Sequence, residues 1–514
     1  MNFSSLVFIM IFLPIVLILD SMLRKVGNIK TQKIFLIVIS SIFYAWTGIQ
    51  YLVLMLATVF VNWFLLPKKN ASSSADSADS AVQVSSGESK QVDKGSRTRF
   101  ITAIIIDVLI LAFFKYYNFF VNNIELLVSS ISTTAVALNE PVIPLPMGIS
   151  FYTFQIIAFQ ADYYHGKIRK VGVSGAGGTV GKISFLDYLL YMTFFPKLIE
   201  GPILRYSDLE NEIRIRKQGW IDQEYGIRRF IIGLAKKVLI VDKLLPLINS
   251  IFEVDPGWMS SSIAWLGAIC YMLVIYFDFS GYTDMAIGVS SILGFRLPEN
   301  FDYPYISCSI QEFWRRWHST LGSWFRDYVY IPLGGNRKGK VATYRNLMIV
   351  FLLTGIWHGA NWTFVVWGLY HGVWSLIEHL GLKNVLKKLP KVLCKVYCML
   401  VVIIGWVFFR SDNLDYACRY IWTMFGGTST GTTVDLHPGI AAFMNNFSIE
   451  VLVMIIIGVV LSTPVMRWVL DKSRIEVEKT ETRVVVTVLY IVLLIVCIAA
   501  VMANGFSPSI YMKF

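Results

Sequence analysis

Six histidines are scattered through 514 residues, and two of them keep company that suggests chemistry. His358 lies in "LLTGIWHGANW", Leu352 to Trp362. His318 lies in "EFWRRWHSTLGSWF", one helical turn after Trp314. A neutral imidazole accepts a proton near physiological pH, and burial keeps it neutral, which suits a general base. The bland alternatives stand beside that reading: His358 as an interfacial loop residue or packing histidine, His318 as a packing residue among tryptophans. His371 reads as an interhelical hydrogen-bonder, and His165, His379 and His437 receive no role. Other chemistry lacks a motif. "GVSGAGGTVG" at Gly172–Gly181 is glycine-rich but lacks the Gly-Lys-Ser/Thr ending of a phosphate loop. The six cysteines form no C-x-x-C pair, so neither metal nor a disulfide framework is argued, and Cys394 and Cys398 read as packing residues.

The elements that must hold these histidines are apolar. Hydrophobic residues make up 55% of the chain and charged residues 16%, and mean hydropathy is +0.58. That describes an integral membrane protein. Thirteen apolar segments are candidate spans: Phe3–Leu19, Ile34–Trp46, Tyr51–Leu66, Phe100–Phe120, Met147–Tyr163, Leu186–Phe195, Phe230–Ile251, Ile263–Phe279, Leu347–Trp357, Phe364–Ile377, Val392–Phe409, Val451–Leu470 and Val484–Met502. Several are too short to cross unless they tilt or re-enter. The fold class is therefore an all-α polytopic bundle of roughly 10–13 helices, re-entrant and interfacial ones included. The first span reads as a retained anchor. Arg24, Lys25, Lys30 and Lys33 after it place that loop in the cytosol and the N-terminus outside. The helix carrying His358 is expected to span Leu347–Trp357 and to break at Gly355. Eleven residues rise roughly 16 Å, about half a hydrocarbon core of about 30 Å, which would put His358 near mid-depth.

Charge and polarity mark further features. The net charge of +12 fits positive-inside loops and contact with anionic membrane lipid; no nucleic-acid motif accompanies it. A sharper reading is a cytosolic anion site, for instance for coenzyme A phosphates, with Arg228, Arg229, Lys236, Lys237, Arg337, Lys338, Lys340 and Arg345 as candidates. Trp314, Trp317, Leu321, Trp324 and Tyr328 recur at helical spacing with Arg315, Arg316 and Arg326 between them, so one basic amphipathic helix is expected there. Asp278, Ser280, Gly281 and Asp284 fall inside or at the end of an apolar helix; they either hold the bundle together through arginine or line its cavity. Lys197, Glu200 and Pro202 suggest a re-entrant turn. Pro67–Arg99, rich in Ser, Ala and Asp, reads as a disordered cytosolic linker. The chain then divides into N-terminal helices (1–66), that linker (67–99) and a helical core with its tail (100–514).

Five stretches together resemble the membrane-bound O-acyltransferase family, in the branch of alginate O-acetylation and teichoic-acid D-alanylation: "MGISFYTFQ", "FFPKLIEGPI", "YFDFSGYTDMAIG", "NFDYPYISCSIQEFWRRWHSTLGSWFRDYVYIPLGGNR" and "TGIWHGANWTFVVWGLYHG". They run in order from Met147 to Gly372. The resemblance implies a helical bundle with a central funnel, His358 as the catalytic histidine and His318 as the second site histidine. It implies no tightly bound cofactor. The donor would be acetyl-CoA, or a carrier-protein thioester in the D-alanyl branch. The acceptor would be an envelope polysaccharide, reached through an extracytoplasmic serine esterase-like (SGNH) partner, from a bacterial cytoplasmic membrane. The alternatives are D-alanyl transfer to teichoic acid and a transporter or flippase. The ending "SPSIYMKF" is similar to the F-x-Y-x-x-F ending of companion proteins in such systems. Tyr511 and Phe514 match and Ser509 replaces the first phenylalanine. That likeness implies Tyr511 as a covalent acyl relay; the plain alternative is an interfacial aromatic anchor.

Overall fold

The computed structural model describes residues 1–25, 27–67, 94–131, 141–168, 183–216, 219–427, 437–465, 480–504 and Ile510. The glycine-rich loop, most of the expected linker, and Tyr511 lie outside them. Every regular element among the described residues is a helix. Among the described residues, four helices are long and apolar enough to cross a membrane: Lys94–Ile131, Ser261–Ile292, Lys391–Arg410 and Arg483–Ala503. A broken pair, Pro438–Asn446 and Ile449–Leu461, bends by 83° and could form a fifth span. Apolar side chains along Lys94–Ile131 and Arg483–Ala503, such as Leu109, Phe120, Leu489 and Ile495, are exposed on the surface of the protein, as lipid-facing residues are. The chain is a multi-pass membrane protein. The remaining apolar segments form shorter, irregular helices such as Phe185–Thr193.

The chain forms two compact units. One comprises Met1–Asn28, Glu200–Ile203 and Arg216–Phe514; the other comprises Ile29–Ile199 and Leu204–Ile215. The first 28 residues thus group with the C-terminal part, whereas the sequence suggested divisions at 66 and 99. Ile29–Ala45 and Ile49–Phe64 form a hairpin in the second unit. Lys94–Ile131 begins helical at Lys94, inside the segment expected to be linker. Its Asp107 accepts from Asn62 at 2.7 Å, and Asn62 Oδ1 accepts from Gln160 at 3.0 Å. Lys197, on the four-residue helix Phe195–Leu198, is fully buried; it donates to Gln155 and lies over the Tyr191 ring.

The first unit is built around Ser261–Ile292, in which every residue from Cys270 to Ile292 is buried. A helix buried on all sides needs close neighbours, and glycines provide them. A Cβ on Gly288 would come within 2.6 Å of the Gly226 carbonyl oxygen, and one on Gly233 within 2.5 Å of that of Gly281. Helix Trp220–Ala235 therefore lies backbone to backbone on the central helix, as small-residue crossings allow. The carboxylates embedded in this contact are paired. Asp284 binds Arg229 at 2.7 Å and Lys236 at 2.7 Å; Asp278 binds Lys237 at 3.0 Å. Of the two roles open to these acids, binding the bundle together is the one observed.

The expected amphipathic helix is not continuous. It divides into Ile310–Arg316 and Ser319–Phe325, followed by one wide turn, Arg326–Tyr330. The break falls at His318, whose φ of 45° is left-handed. Residues 300–302 cause it: Asp302 N–H donates to the Arg316 carbonyl and Ser319 N–H to that of Asn300, both at 3.0 Å. Those bonds replace the helical ladder where the helical pattern would have continued.

Candidate active site

His358 is the last residue of helix Lys340–His358. The helix runs through Gly355 without interruption, so the break begins at Gly359, four residues later than expected. Gly355 serves packing instead: a Cβ there would collide with the Phe364 carbonyl oxygen and lie 3.2 Å from the Gly368 Cα. One turn before His358, its helix is thus locked against the following one, Trp362–Ile377. The full helix of 19 residues rises roughly 28 Å, so its length does not set His358 at mid-depth. Burial isolates the imidazole instead, which is 6% exposed.

The rest of "WHGANW" is structural. Gly359 is extended, and its missing side chain admits the Phe364 ring. Asn361 caps the next helix by accepting from Thr363 N–H at 3.0 Å and donates to the Asp412 carbonyl at 2.7 Å. His358 is the group left for chemistry. Its ring meets Trp357 and Trp367 at 4.9 Å and Phe409 at 5.3 Å, each near edge-to-face.

His318 reaches the same aromatic cluster from another segment. Its ring lies 4.7 Å from Phe279 and 6.3 Å from Trp357, so the two imidazoles share Trp357 as a neighbour. Its Nδ1 is 2.9 Å from Asn300 Oδ1. That Asn300 atom is an oxygen because Thr320 donates to it twice, from N–H at 3.4 Å and from Oγ1 at 2.9 Å. Thr320 Oγ1 in turn accepts from Ile203 N–H at 3.1 Å. An acceptor facing Nδ1 fixes the tautomer: Nδ1 carries the proton and Nε2 keeps its lone pair. Nε2 is buried and has no hydrogen-bond partner among the described residues. His318 lies outside the spanning helices, and burial pushes its pKa down to about 3, which keeps it neutral. A left-handed backbone on a histidine is a costly conformation, of the kind found where function demands a fixed side chain.

Other sequence-derived candidates separate from this centre. His371 is fully buried against Trp314 and Trp367, 5.0 and 5.3 Å away. Neither of its nitrogens has a hydrogen-bond partner among the described residues, so it is a packing residue and not an interhelical hydrogen-bonder. Four of the eight residues offered for an anion site are already neutralised. Arg228 binds Glu224, Arg229 binds Asp284 and Glu299, Lys236 binds Asp284, and Lys237 binds Asp278 and Asp242. Arg337, Lys338, Lys340 and Arg345 remain exposed. Sequence reading missed Asn300, although it stands in the quoted "NFDYPY" stretch. It also missed Glu378, a buried carboxylate that accepts the first N–H groups of helix Ile310–Arg316, from Ile310 at 2.6 Å and Gln311 at 3.1 Å. Glu378 thereby anchors the segment that ends at His318.

Comparison with known proteins adds identity to this geometry. Residues 139–414 match the family model of the membrane-bound O-acyltransferases. The chain is 40% identical over 427 residues to the probable alginate O-acetylase AlgI of Azotobacter vinelandii, covering 83% of this chain and 78% of that one. It is 34% identical to the peptidoglycan O-acetyltransferase of Helicobacter pylori, covering 82% and 80%. It is 32% identical to the teichoic acid D-alanyltransferase of Bacillus subtilis, covering 44% and 57%. With the family's match running across both histidines and the aromatic cluster between them, the chain belongs to the membrane-bound O-acyltransferase family and is an O-acyltransferase of the membrane.

Proposed function

We propose that this enzyme takes an acetyl group from a cytosolic thioester, acetyl-CoA, and passes it across a bacterial cytoplasmic membrane for O-acetylation of an envelope polysaccharide. The observation that carries this reading is the pair of buried histidines sharing Trp357, one of them held as a neutral base with an unpartnered Nε2. Acetyl is favoured over D-alanyl by the extent of similarity. The alginate O-acetylase matches 83% of the chain and the D-alanyltransferase 44%. Basic residues Arg24, Lys25, Lys30 and Lys33 after the first apolar segment favour a cytosolic loop there and an N-terminus outside.

In this mechanism His358 removes the proton of an attacking hydroxyl. The new C–O bond forms at the thioester carbonyl, the C–S bond breaks, and the proton passes to the leaving thiolate. His318 Nε2 accepts a hydrogen bond from a bridging water, whose other O–H donates to the oxygen of that hydroxyl. The dry aromatic walls keep bulk water from hydrolysing the thioester. The hydroxyl is that of Tyr511: a phenyl ester is reactive enough to pass its acetyl group on to the serine of an extracytoplasmic esterase-like partner. Ile510, one residue before Tyr511, supports this order of events, because it is buried in the core of the unit that carries both histidines.

The test is transfer of labelled acetyl from acetyl-CoA by purified protein in membranes. His358→Ala should lower it about 10²–10⁴-fold, the usual worth of a general base, while the protein still accumulates. Tyr511→Phe should abolish an acetyl adduct on the C-terminal peptide. Near-normal transfer by well-folded His358→Ala would refute the assignment of the base.

A further inference from the structure

The central helix carries a carboxylate whose two oxygens serve different masters. Asp278 is 2% exposed. One oxygen faces Lys237 at 3.0 Å, and Lys237 also reaches Asp242 at 3.2 Å. The other oxygen accepts the backbone N–H of Ile510 at 2.7 Å. Ile510 follows the last helix, and its side chain is buried in the core cluster that includes Trp317, Phe364, Trp367 and Phe409. Trp367 and Phe409 are ring neighbours of His358. Phe279, the next residue along the central helix, is the ring neighbour of His318.

An ion pair that only stapled Asp278 to Lys237 would leave the C-terminal segment out. Here it is included, through a bond that is charge-assisted and therefore stronger than an amide–amide contact. Lys237 offsets the cost of burying the carboxylate that accepts it. The bond is to main chain, so it fixes position along the chain, and the buried Ile510 side chain fixes register.

We propose that Asp278 is a positioning residue: it seats the C-terminal segment at Ile510 and so sets where the following tyrosine is presented to the histidine pair. This rests on the acyl-relay reading of Tyr511. Consecutive Cα atoms are about 3.8 Å apart, and a misplacement of about 1 Å at a reacting group can cost about 10²-fold in rate. A slip of the segment by one residue would therefore disable transfer without touching a catalytic residue.

The test uses full-length protein in detergent, hydrogen–deuterium exchange by mass spectrometry, and the acetyl-transfer assay. Asp278→Asn removes the charge and weakens the pair with Lys237. Ile510→Pro removes the donor N–H together with the isoleucine side chain and leaves Asp278 and Lys237 untouched; Ile510→Ala, which keeps the N–H, controls for the lost side chain. Both Asp278→Asn and Ile510→Pro should speed exchange in the C-terminal peptide, leave that of Ser261–Ile292 unchanged, and lower transfer roughly tenfold or more. Ile510→Ala should lower it less than Ile510→Pro. Unchanged exchange in the C-terminal peptide would overturn the seat. Faster exchange throughout the central helix in Asp278→Asn, with Ile510→Pro silent, would leave Asp278 as a structural ion pair and overturn it too. Faster exchange with full transfer would overturn the positioning role. Tyr511→Phe separates this inference from the relay: it keeps the seat and removes the phenol. Full transfer by Tyr511→Phe refutes the relay, and with it the presentation role, whereas the exchange measurements test the seat independently.

Discussion

Asn300→Ala should reproduce the defect of His318→Ala, although Asn300 is not proposed to touch substrate. In the native protein Asn300 Oδ1 accepts from His318 Nδ1 at 2.9 Å, which holds the imidazole in the tautomer with a free Nε2 lone pair. Truncation leaves that N–H without its acceptor, and the proton can then occupy either nitrogen. A histidine lacking its orienting partner can lose as much as about 10⁴ in kcat. The expected loss is therefore about 10²–10⁴-fold, or about 2.7–5.4 kcal/mol of barrier at about 1.36 kcal/mol per decade. Truncation also orphans Thr320 N–H and Oγ1, and each orphaned group costs about 1–3 kcal/mol of stability. Thr320→Val controls for part of that cost while leaving the Asn300–His318 bond in place. The decisive assay is a double-mutant cycle on acetyl transfer, with thermal melts alongside. If Asn300 acts through His318, the double variant Asn300→Ala/His318→Ala is no slower than His318→Ala alone. Losses that multiply in the double variant would refute the reasoning, because the two residues would then act independently.

Three other expectations concern pH and packing. With its pKa held near 3 against about 6.5 unfolded, His318 binds no proton in the folded state where the unfolded chain binds one. Its contribution to stability is whole above about pH 6.5 and falls by up to about 1.4 kcal/mol per pH unit as pH drops toward 3. Melts of the wild type should therefore decline more steeply below pH 6.5 than those of His318→Gln, and parallel declines would contradict the buried neutral imidazole. Gly355→Val should push the Lys340–His358 helix away from its neighbour at Phe364 and Gly368, costing about 1–3 kcal/mol and displacing His358; a variant with wild-type transfer would show that this crossing does not position it. Glu378→Ala should orphan the Ile310 and Gln311 N–H groups at about 1–3 kcal/mol each, while Glu378→Gln, which keeps an acceptor, should melt closer to wild type.

The sequence alone determined what depends on neighbours along the chain. Apolar runs declared a helical membrane protein because lipid forces the backbone to satisfy itself locally. A helix break beside His358 was legible too, but it was expected at Gly355; the helix runs on to His358, and the Asn361 cap of the next helix was seen only in the structure. The aromatic spacing after Tyr303 was read correctly as helical in period, yet it could not reveal the break at His318. No glycine or proline marks that break; it is imposed by main-chain bonds to Asn300 and Asp302 from the preceding loop. Tertiary structure likewise decided which polar residues work together. Asn300 with His318, Glu378 with the Ile310 helix, and Asp278 with Ile510 are pairs separated by 18, 68 and 232 residues. Four of the eight basic residues that looked like an anion site, Arg228, Arg229, Lys236 and Lys237, turned out to be paired with carboxylates of the fold, whereas the other four stay exposed. Spacing reports periodicity, but a partner is chosen by packing, and packing brings together residues that sequence distance keeps apart.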